Sequence, residues 1–151
     1  MKTAAISRLK NDLVLKAVFD AADTTRAKAY LVGGALRNLV LSRPFGFDYD
    51  IALDGKIKDI ANLLAERFKG SPFLLDKESG AYRVVIRQMQ ASRLLPLASY
   101  NIDLSPFKGK DILEDLSNRD FTINAMAVDV AALFIENKMS LIDIFNGRAD
   151  A

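Results

Sequence analysis

Two aspartates are the residues of this sequence whose type and spacing point most directly to chemistry. They lie in the run GFDYDIALDG, residues 46–55, where Asp48 and Asp50 flank Tyr49. Side chains of a β-strand alternate between faces, so a strand here would put both carboxylates on one face and Tyr49 on the other. Like charges held this close repel each other and resist burial. The pair therefore indicates either a solvated sheet edge or a site where divalent cations bind both carboxylates.

A third carboxylate, Asp103, lies in another predicted strand, residues 99–104. There Tyr100, Ile102 and Leu104 would take the opposite face from Asp103. Three carboxylates beside a phosphate-binding turn are what two-metal phosphoryl or nucleotidyl transfer requires. One ion would activate the attacking hydroxyl, and the other would hold the triphosphate and stabilise the leaving pyrophosphate.

A phosphate-binding turn is predicted just upstream of the acidic run 46–55, where a short apolar strand runs through Gly33 and Gly34 into a helix. Free backbone N–H groups at a helix N-terminus form a natural phosphate site, and glycine lets the phosphate come close. Arg37, one turn into the helix, would add a charged fork. The spacing is neither GxGxxG nor a P-loop, and a double glycine also serves as a plain turn.

Composition narrows the chemistry. The 151 residues are enough for one domain with a real core, and they include no Cys and no His. Disulfides, thiolate nucleophiles, His bases and ordinary zinc sites are thereby excluded, so a metal must be a hard cation such as Mg²⁺ or Mn²⁺. The net charge of +2 is too balanced to indicate nucleic-acid binding by itself. Without an apolar run of membrane-spanning length or a signal-peptide core, we expect a cytoplasmic protein with no membrane partner.

Hydrophobic periodicity predicts an α+β fold, a mixed sheet with helices mainly on one face. Ile6, Leu9, Leu13, Ala17 and Ala21 share one face of the first predicted helix. The predicted helices are 6–22, 35–43 stopped by Pro44, 56–68 ended by Gly70, and most of 112–130. The predicted strands are 27–32, the acidic run, 72–76 and 81–90 paired through the turn KESG, 99–104, and a small pair around Glu136–Asn137 that extends to 141–145. Residues 91–98 are predicted as a loop.

The segment SNRDFTINAMAVD, residues 117–129, carries the remaining candidates. Arg119 would pair with a nucleotide phosphate or with an acidic strand. Asp120 and Asn124, four apart on one helical face, would cap or lock the neighbouring backbone. On these residues alone the segment reads as an ordinary helix with an ion pair, with Phe121, Ala125 and Met126 in the core.

Three motifs together resemble a known family. They are YLVGGALRN (30–38), RPFGFDYDIAL (43–53) and EDLSNRDFTINAMAVD (114–129). In order and spacing they are similar to the head domain of the class II tRNA nucleotidyltransferases and bacterial poly(A) polymerases, of the polymerase β-like superfamily. The resemblance covers about residues 28–148, and RDFTINAMA is its most specific part.

The resemblance implies a template-independent enzyme that adds C, A or both from CTP or ATP to the 3′ end of tRNA or other RNA. It implies that Asp48 and Asp50 bind the catalytic Mg²⁺ or Mn²⁺ and that Asp103 is the third catalytic carboxylate. The nucleotide-binding positions would be Gly33, Gly34, Arg37 and Arg119, and the motif-supporting ones Asp120 and Asn124.

The sequence also departs from that family. Asn118 stands where the family usually has an arginine, and Asn38 where it often has aspartate. We expect residues 1–151 to be the head domain alone, because the neck domain with its base-reading EDxxR motif and the RNA-holding body and tail domains have no counterpart in it. Two alternatives remain open, a nucleotidyltransferase with a non-RNA acceptor and a non-catalytic nucleotide- or RNA-binding module.

Overall fold

A computed structural model describes residues 2–40, 48–87, 99–119 and 125–144. Its strands form one seven-stranded mixed sheet in the order β3-β4-β5-β2-β1-β6-β7. The strands are β1 Ala29–Val32, β2 Asp48–Leu53, β3 Ser71–Asp76, β4 Ala81–Arg87, β5 Ser99–Pro106, β6 Met126–Asp129 and β7 Leu141–Asp143. The helices are α1 Lys2–Lys10, α2 Leu13–Thr25, α3 Gly33–Val40, α4 Ile57–Phe68, α5 Ile112–Ser117 and α6 Val130–Ile135.

The main hydrophobic core lies between one face of the sheet and the helices α2, α4 and α6. On β5 the core residues Ile102 and Leu104 alternate with Asn101, Asp103 and Ser105, as expected for a sheet with one covered face. Its fully buried large side chains include Leu15, Leu31, Ile51, Ile60, Leu64, Ile102 and Leu104. The predicted α+β fold with helices mainly on one face is confirmed. None of the described helices is long and apolar enough to cross a bilayer.

The opposite face of the sheet is divided between a small second core and a polar region. Val32, Ala52 and Ala127 form the second core together with Ile112 and Leu116 of α5. Asp50 lies two residues before Ala52 on β2, so its side chain is on this same face. The acidic residues thus lie beside an apolar patch on the face that the main helices leave open.

The N-terminal prediction of one helix over residues 6–22 is wrong. The chain forms two helices, and Asp12 between them caps α2 by accepting hydrogen bonds from the backbone N–H groups of Val14 (2.9 Å) and Leu15 (3.0 Å). The helical backbone is interrupted at Asp12, which is extended (φ −77°, ψ 119°), and Leu13, predicted to share the apolar face of a single helix, is 75% exposed. A side-chain cap competes with helix continuation, which periodicity does not register.

The prediction of a mostly helical segment over 112–130 is also wrong. The α5 helix ends at Ser117, and residues Met126–Asp129 form β6 between β1 and β7. A short apolar run buried on both faces looks alike in a helix and in a central strand, and only pairing with neighbouring strands decides between them. The small strand pair is present as β6 and β7, but α6 connects them instead of a tight turn at Glu136–Asn137.

The other predicted elements are present where the structure describes them. The hairpin of β3 and β4 and the helix α4 match their predictions, although the left-handed residue that ends α4 is Lys69 (φ 53°) and not Gly70. Pro44, the loop 91–98, and the ends of the predicted segments 35–43, 81–90 and 141–145 lie outside the described residues.

The buried Tyr49 links the acidic strand to the N-terminal helices. Its hydroxyl donates a 2.6 Å hydrogen bond to Asp12 Oδ2, the second oxygen of the carboxylate that caps α2. Burial, together with Asp12, raises the pKa of Tyr49 far above its usual value, so the phenol stays protonated and keeps donating. One carboxylate thus fixes both the start of α2 and the strand residue between Asp48 and Asp50.

Replacing Asp12 by alanine should lower the free energy of unfolding by about 2–3 kcal/mol, as measured by urea denaturation. About 1 kcal/mol is expected from the lost cap, and a similar amount from the lost hydrogen bond between the Tyr49 hydroxyl and the Asp12 carboxylate. The double variant Asp12→Ala/Tyr49→Phe removes that hydroxyl and should lose less than the sum of the two single variants. An Asp12→Ala protein as stable as the unmodified chain would contradict this account.

Candidate metal and nucleotide site

Adjacent parallel strands bring the three predicted carboxylates together. In the register of β2 and β5, Asp50 is opposite Asp103 and Asp48 is opposite Asn101. The Asn101 side-chain amide donates a 3.0 Å hydrogen bond to Asp48 Oδ1. Asp48 is exposed, while Asp50 and Asp103 are half-buried. Like charges therefore lie side by side at the open face of the sheet.

The double-glycine turn is built against Asp50. Val32 at the end of β1 pairs with Asp50, so the chain passes this carboxylate as it turns into α3. Gly33 has φ 72°, and a Cβ there would collide with Asp50 Oδ2. The N–H of Gly34 donates to the Asp50 carboxylate, because the β1–β2 pairing brings this acceptor to the start of α3. Phosphate binding at this turn stays a prediction.

Asp50 is the electrostatically strained member of the pair. Burial raises the pKa of Asp50, and the neighbouring charges of Asp103 and Asp48 raise it further. Arg119 and the Gly34 N–H lower it, but the net direction is upward. A carboxylate that is desolvated and close to like charges gains free energy from any cation that binds it.

Asp103 has a cationic partner that the sequence did not reveal. Arg83 of β4, its register neighbour, donates from Nε to Oδ1 at 2.7 Å and from Nη2 to Oδ2 at 3.0 Å. Both carboxylate oxygens are thus engaged by one guanidinium, and this contact raises the pKa of Arg83. The strands 81–90 and 99–104 were both predicted, but their pairing, which alone joins these two side chains, was not.

Arg119 forms an ion pair with Asp115, a carboxylate that is not among the predicted site residues. It donates from Nε (3.3 Å) and Nη2 (3.0 Å) to Oδ2 of Asp115, whose side chain is only 3% exposed. The other oxygen of Asp115 accepts a 2.8 Å hydrogen bond from the Lys108 N–H. The i, i+4 spacing of Asp115 and Arg119 was visible in the sequence and is the signal that could have found this pair.

Of the remaining predicted site residues, the structure describes Arg37 but not Asp120 or Asn124. Arg37 lies at the glycine turn, where a Cβ added to Gly34 would be 3.6 Å from its Nη2. Asp120 and Asn124 lie outside the described residues, and so does Phe121. The structure therefore gathers Gly33, Gly34 and Arg37 beside Asp48, Asp50 and Asp103, with Arg119 close enough to Asp50 to influence its charge.

The carboxylates of the site divide into two classes. Asp103 and Asp115 are each neutralised by an arginine, whereas neither Asp48 nor Asp50 forms an ion pair within the described ranges. Nor do the described residues contain a group of three or more Asp, Glu, His or Cys side chains suited to enclosing a metal ion. Mg²⁺ is commonly held by one or two carboxylates with substrate phosphates and water completing its shell. Asp48 and Asp50 fit that kind of site.

Gly33 and Gly34 form a matched pair for testing the turn. The variant Gly33→Ala should destabilise the fold by about 1–2 kcal/mol, because alanine is strained at positive φ and its Cβ meets Asp50. Gly34→Ala adds a methyl group at ordinary contact distance and should be tolerated. Thermal melts of the two variants measure the difference, and equal melting temperatures would contradict the close approach of Gly33 to Asp50.

Asp50→Asn should stabilise the metal-free protein at neutral pH. Since the pKa of Asp50 is raised by folding, the folded chain loses stability as pH rises from the ordinary value of 3.8 through the raised one. Asparagine removes that penalty and still accepts from Gly34. A gain of about 1 kcal/mol would raise Tm by about 2–4 °C in EDTA.

The control for this variant is Glu66→Gln, which removes one negative charge from the exposed side of α4. Glu66→Gln should leave Tm nearly unchanged both at neutral pH and near pH 3. The gain from Asp50→Asn should also disappear near pH 3, where the carboxyl is protonated in both states. A gain that persists there would mean that relief of charge burial is not its cause.

Comparison with known proteins places this chain in a family. Residues 29–151 match the family described as Poly A polymerase head domain. The chain is 38% identical over 122 residues to the CC-adding tRNA nucleotidyltransferase of Geobacter sulfurreducens, covering 81% of this chain and 25% of that protein. It is 33% identical over 132 residues to the A-adding tRNA nucleotidyltransferase of Aquifex aeolicus, covering 82% and 15%.

A solved tRNA nucleotidyltransferase, complexed with a primer tRNA and an incoming ATP analogue, has a similar fold. It superimposes with a TM-score of 0.67 at 28% identity, over 88% of this chain and 36% of that one. The chain thus spans about a quarter of the Geobacter relative's length and a smaller share of the Aquifex one. From the family match, these identities and the shared fold, the chain belongs to the Poly A polymerase head domain family.

Proposed function

We propose that this chain is the catalytic head of a template-independent RNA nucleotidyltransferase. It would transfer C, A or both from CTP or ATP to the 3′ end of tRNA or another RNA, in the cytoplasm where both substrates are found. The observation that carries the proposal is the pair Asp48 and Asp50, which have no ion-pair partner among the described residues, while the neighbouring Asp103 is paired with arginine. The relatives, named as CC-adding and A-adding tRNA nucleotidyltransferases, support the substrate class.

Asp48 and Asp50 are the proposed ligands of Mg²⁺ or Mn²⁺. Hard divalent cations prefer carboxylate oxygens, and burial, followed by the charges of Asp103 and Asp48, raises the pKa of Asp50, a penalty that such a cation would offset. Bound divalent cations supply two things here, a lowered pKa of the RNA 3′-hydroxyl and charge neutralisation on the triphosphate. The chain's own contribution is a fixed geometry, because adjacent strands hold the carboxylates and β1 closes against them.

The substrates would react by displacement at the α-phosphorus of the nucleotide. The 3′-hydroxyl of the RNA loses its proton to water and its oxygen forms a bond to that phosphorus, while the bond from the phosphorus to the β-phosphate oxygen breaks and pyrophosphate leaves. No protein side chain is required as a general base, which agrees with a chain that has no His. Position and charge stabilisation account for most of the catalysis in reactions of this kind.

Arginines and the glycine turn are the proposed contacts of the triphosphate. Arg37 lies at the turn of Gly33 and Gly34, where a phosphate can approach the backbone. The described hydrogen bonds of Arg119 to Asp115 use two of the five N–H groups of its guanidinium, so the buried carboxylate orients Arg119 and leaves donors for an anion. Asp120 and Asn124 are proposed to support the motif RDFTINAMA, which begins at Arg119.

The test is nucleotide transfer by the chain with tRNA that lacks its 3′ end, radiolabelled CTP or ATP, and Mg²⁺ or Mn²⁺. Mn²⁺ binding, measured by loss of the free-ion electron paramagnetic resonance signal, is followed in parallel. Asp48→Ala and Asp50→Ala should each lower incorporation by about 100-fold or more and weaken Mn²⁺ binding, with an unchanged circular dichroism spectrum.

The matched control is Asp59→Ala, which removes an exposed carboxylate in the first turn of α4, on the other side of the sheet from the site. It should retain transfer and Mn²⁺ binding. Full activity in either site variant would refute the assignment of Asp48 and Asp50. Transfer to small molecules or proteins but not to RNA would favour a non-RNA acceptor, and nucleotide binding without transfer would favour a non-catalytic module.

A further inference from the structure

A row of charged side chains crosses three neighbouring strands at the site. Asp50 of β2 is opposite Asp103 of β5, which in turn is opposite Arg83 of β4. The guanidinium lies on the far side of Asp103 from Asp50 and holds both oxygens of Asp103 at 2.7 and 3.0 Å. The side chains of Arg83 and Asp103 are 34% and 20% exposed, so solvent only partly screens the pair.

We propose that Arg83 is a positioning residue of the nucleotidyl-transfer site. It acts on the metal-binding pair through Asp103, neutralising the third carboxylate and leaving Asp48 and Asp50 as the two protein ligands. This inference rests on the function proposed above. It gives Asp103 a different task from the third catalytic carboxylate that the resemblance implies, because Asp103 serves as the counter-charge of Arg83 beside Asp50.

The geometry of the contact supports this division of roles. A bidentate arginine–carboxylate pair is among the stronger and more directional hydrogen-bonded contacts in proteins. Both oxygens of Asp103 already accept hydrogen bonds from a full positive charge, so their remaining lone pairs attract a cation less strongly than those of a carboxylate without an arginine partner. Asp48 and Asp50 carry no such restraint, since their described hydrogen bonds come from the uncharged Asn101 amide and the Gly34 N–H.

The charge balance supports it as well. Three carboxylates and one guanidinium give this part of the site a formal charge of −2, the amount that one divalent cation neutralises. Without Arg83 the site would carry one more negative charge and offer a third carboxylate to the metal. Arg83 therefore limits both the affinity and the number of protein ligands, so that coordination positions remain for the phosphates of the substrate.

The experiment is a charge-balance cycle with Mn²⁺ binding measured on the 151-residue chain. Arg83→Gln unmasks a carboxylate beside the site and should tighten Mn²⁺ binding by about 10-fold. Arg83→Gln/Asp103→Asn removes the ion pair as a unit and should bind Mn²⁺ within about 3-fold of the unmodified chain. Its transfer rate should fall through kcat more than through KM, since the ion pair lies beside Asp50 and is not among the proposed contacts of the triphosphate.

The matched control is the ion pair of Arg67 and Asp20, which joins α4 to α2 at 2.6 Å on the other side of the sheet. Arg67→Gln/Asp20→Asn should change neither Mn²⁺ affinity nor kcat. A loss of Mn²⁺ affinity of 10-fold or more in Arg83→Gln/Asp103→Asn would overturn the inference, because Asp103 would then be a metal ligand. Unchanged affinity in Arg83→Gln would overturn it too.

The proposed function is tested by different variants from those that test the role of Arg83. If Asp48→Ala and Asp50→Ala leave Mn²⁺ binding intact, the metal assignment itself fails, whatever the Arg83 variants do. If a single variant folds too poorly for Mn²⁺ binding to be measured, thermal melts without metal test the pairing of Arg83 and Asp103 instead. Arg83→Gln and Asp103→Asn should each lower Tm, and the double variant should lose less than their sum; additive losses would contradict the pairing.

Discussion

The accumulation of negative charge on neighbouring strands is the constraint on which the rest of this structure depends. Asp48 and Asp50 share one face of β2, and the parallel partner β5 brings Asp103 opposite Asp50. The charges cannot move apart, because Ile51, Ile102 and Leu104 fix both strands in the main core. Burial and repulsion therefore appear as a raised pKa at Asp50, and the surrounding residues offset only part of that penalty.

The surroundings respond to each carboxylate differently. Arg83 neutralises Asp103, and Arg119 neutralises the buried Asp115, so these two acids are balanced within the chain. Asp48 and Asp50 receive neutral hydrogen bonds from Asn101 and Gly34. A site is thus formed in which the unbalanced charge is confined to two neighbouring side chains, and a bound cation with its phosphate ligands is the natural complement.

The two faces of the sheet have separate tasks that meet at Tyr49. On the covered face its hydroxyl is tied to Asp12 and through it to the start of α2, while the flanking aspartates point to the open face. The second core under α5 extends the rigid part of the sheet up to the acidic residues, since Val32 and Ala52 belong to it. Precise placement of charged groups requires such support, because metal coordination and hydrogen bonds to phosphate both lose strength quickly as distance and angle depart from their optimum.

The sequence by itself determined the fold class, the acidic strand and the glycine turn. The alternation of Asp48, Tyr49, Asp50 and Ile51 is a local property of the chain. The exclusion of His and Cys chemistry follows from the composition alone. Local patterns failed where a side chain or a distant strand overruled them. Asp12 broke the first helix by capping the second, and the run from Met126 to Asp129 became a central strand through its pairing with β1 and β7.

Only the tertiary structure decided which charges neutralise each other. Arg83 and Asp103 are 20 residues apart and meet because β4 and β5 pair in one register. A shift of one residue would turn these side chains to opposite faces. Likewise Gly34 gives its N–H to Asp50 because β1 and β2 are neighbours, a contact that spacing along the chain does not contain. Residue types fixed the chemistry that is possible, and strand register selected which carboxylates remain available for it.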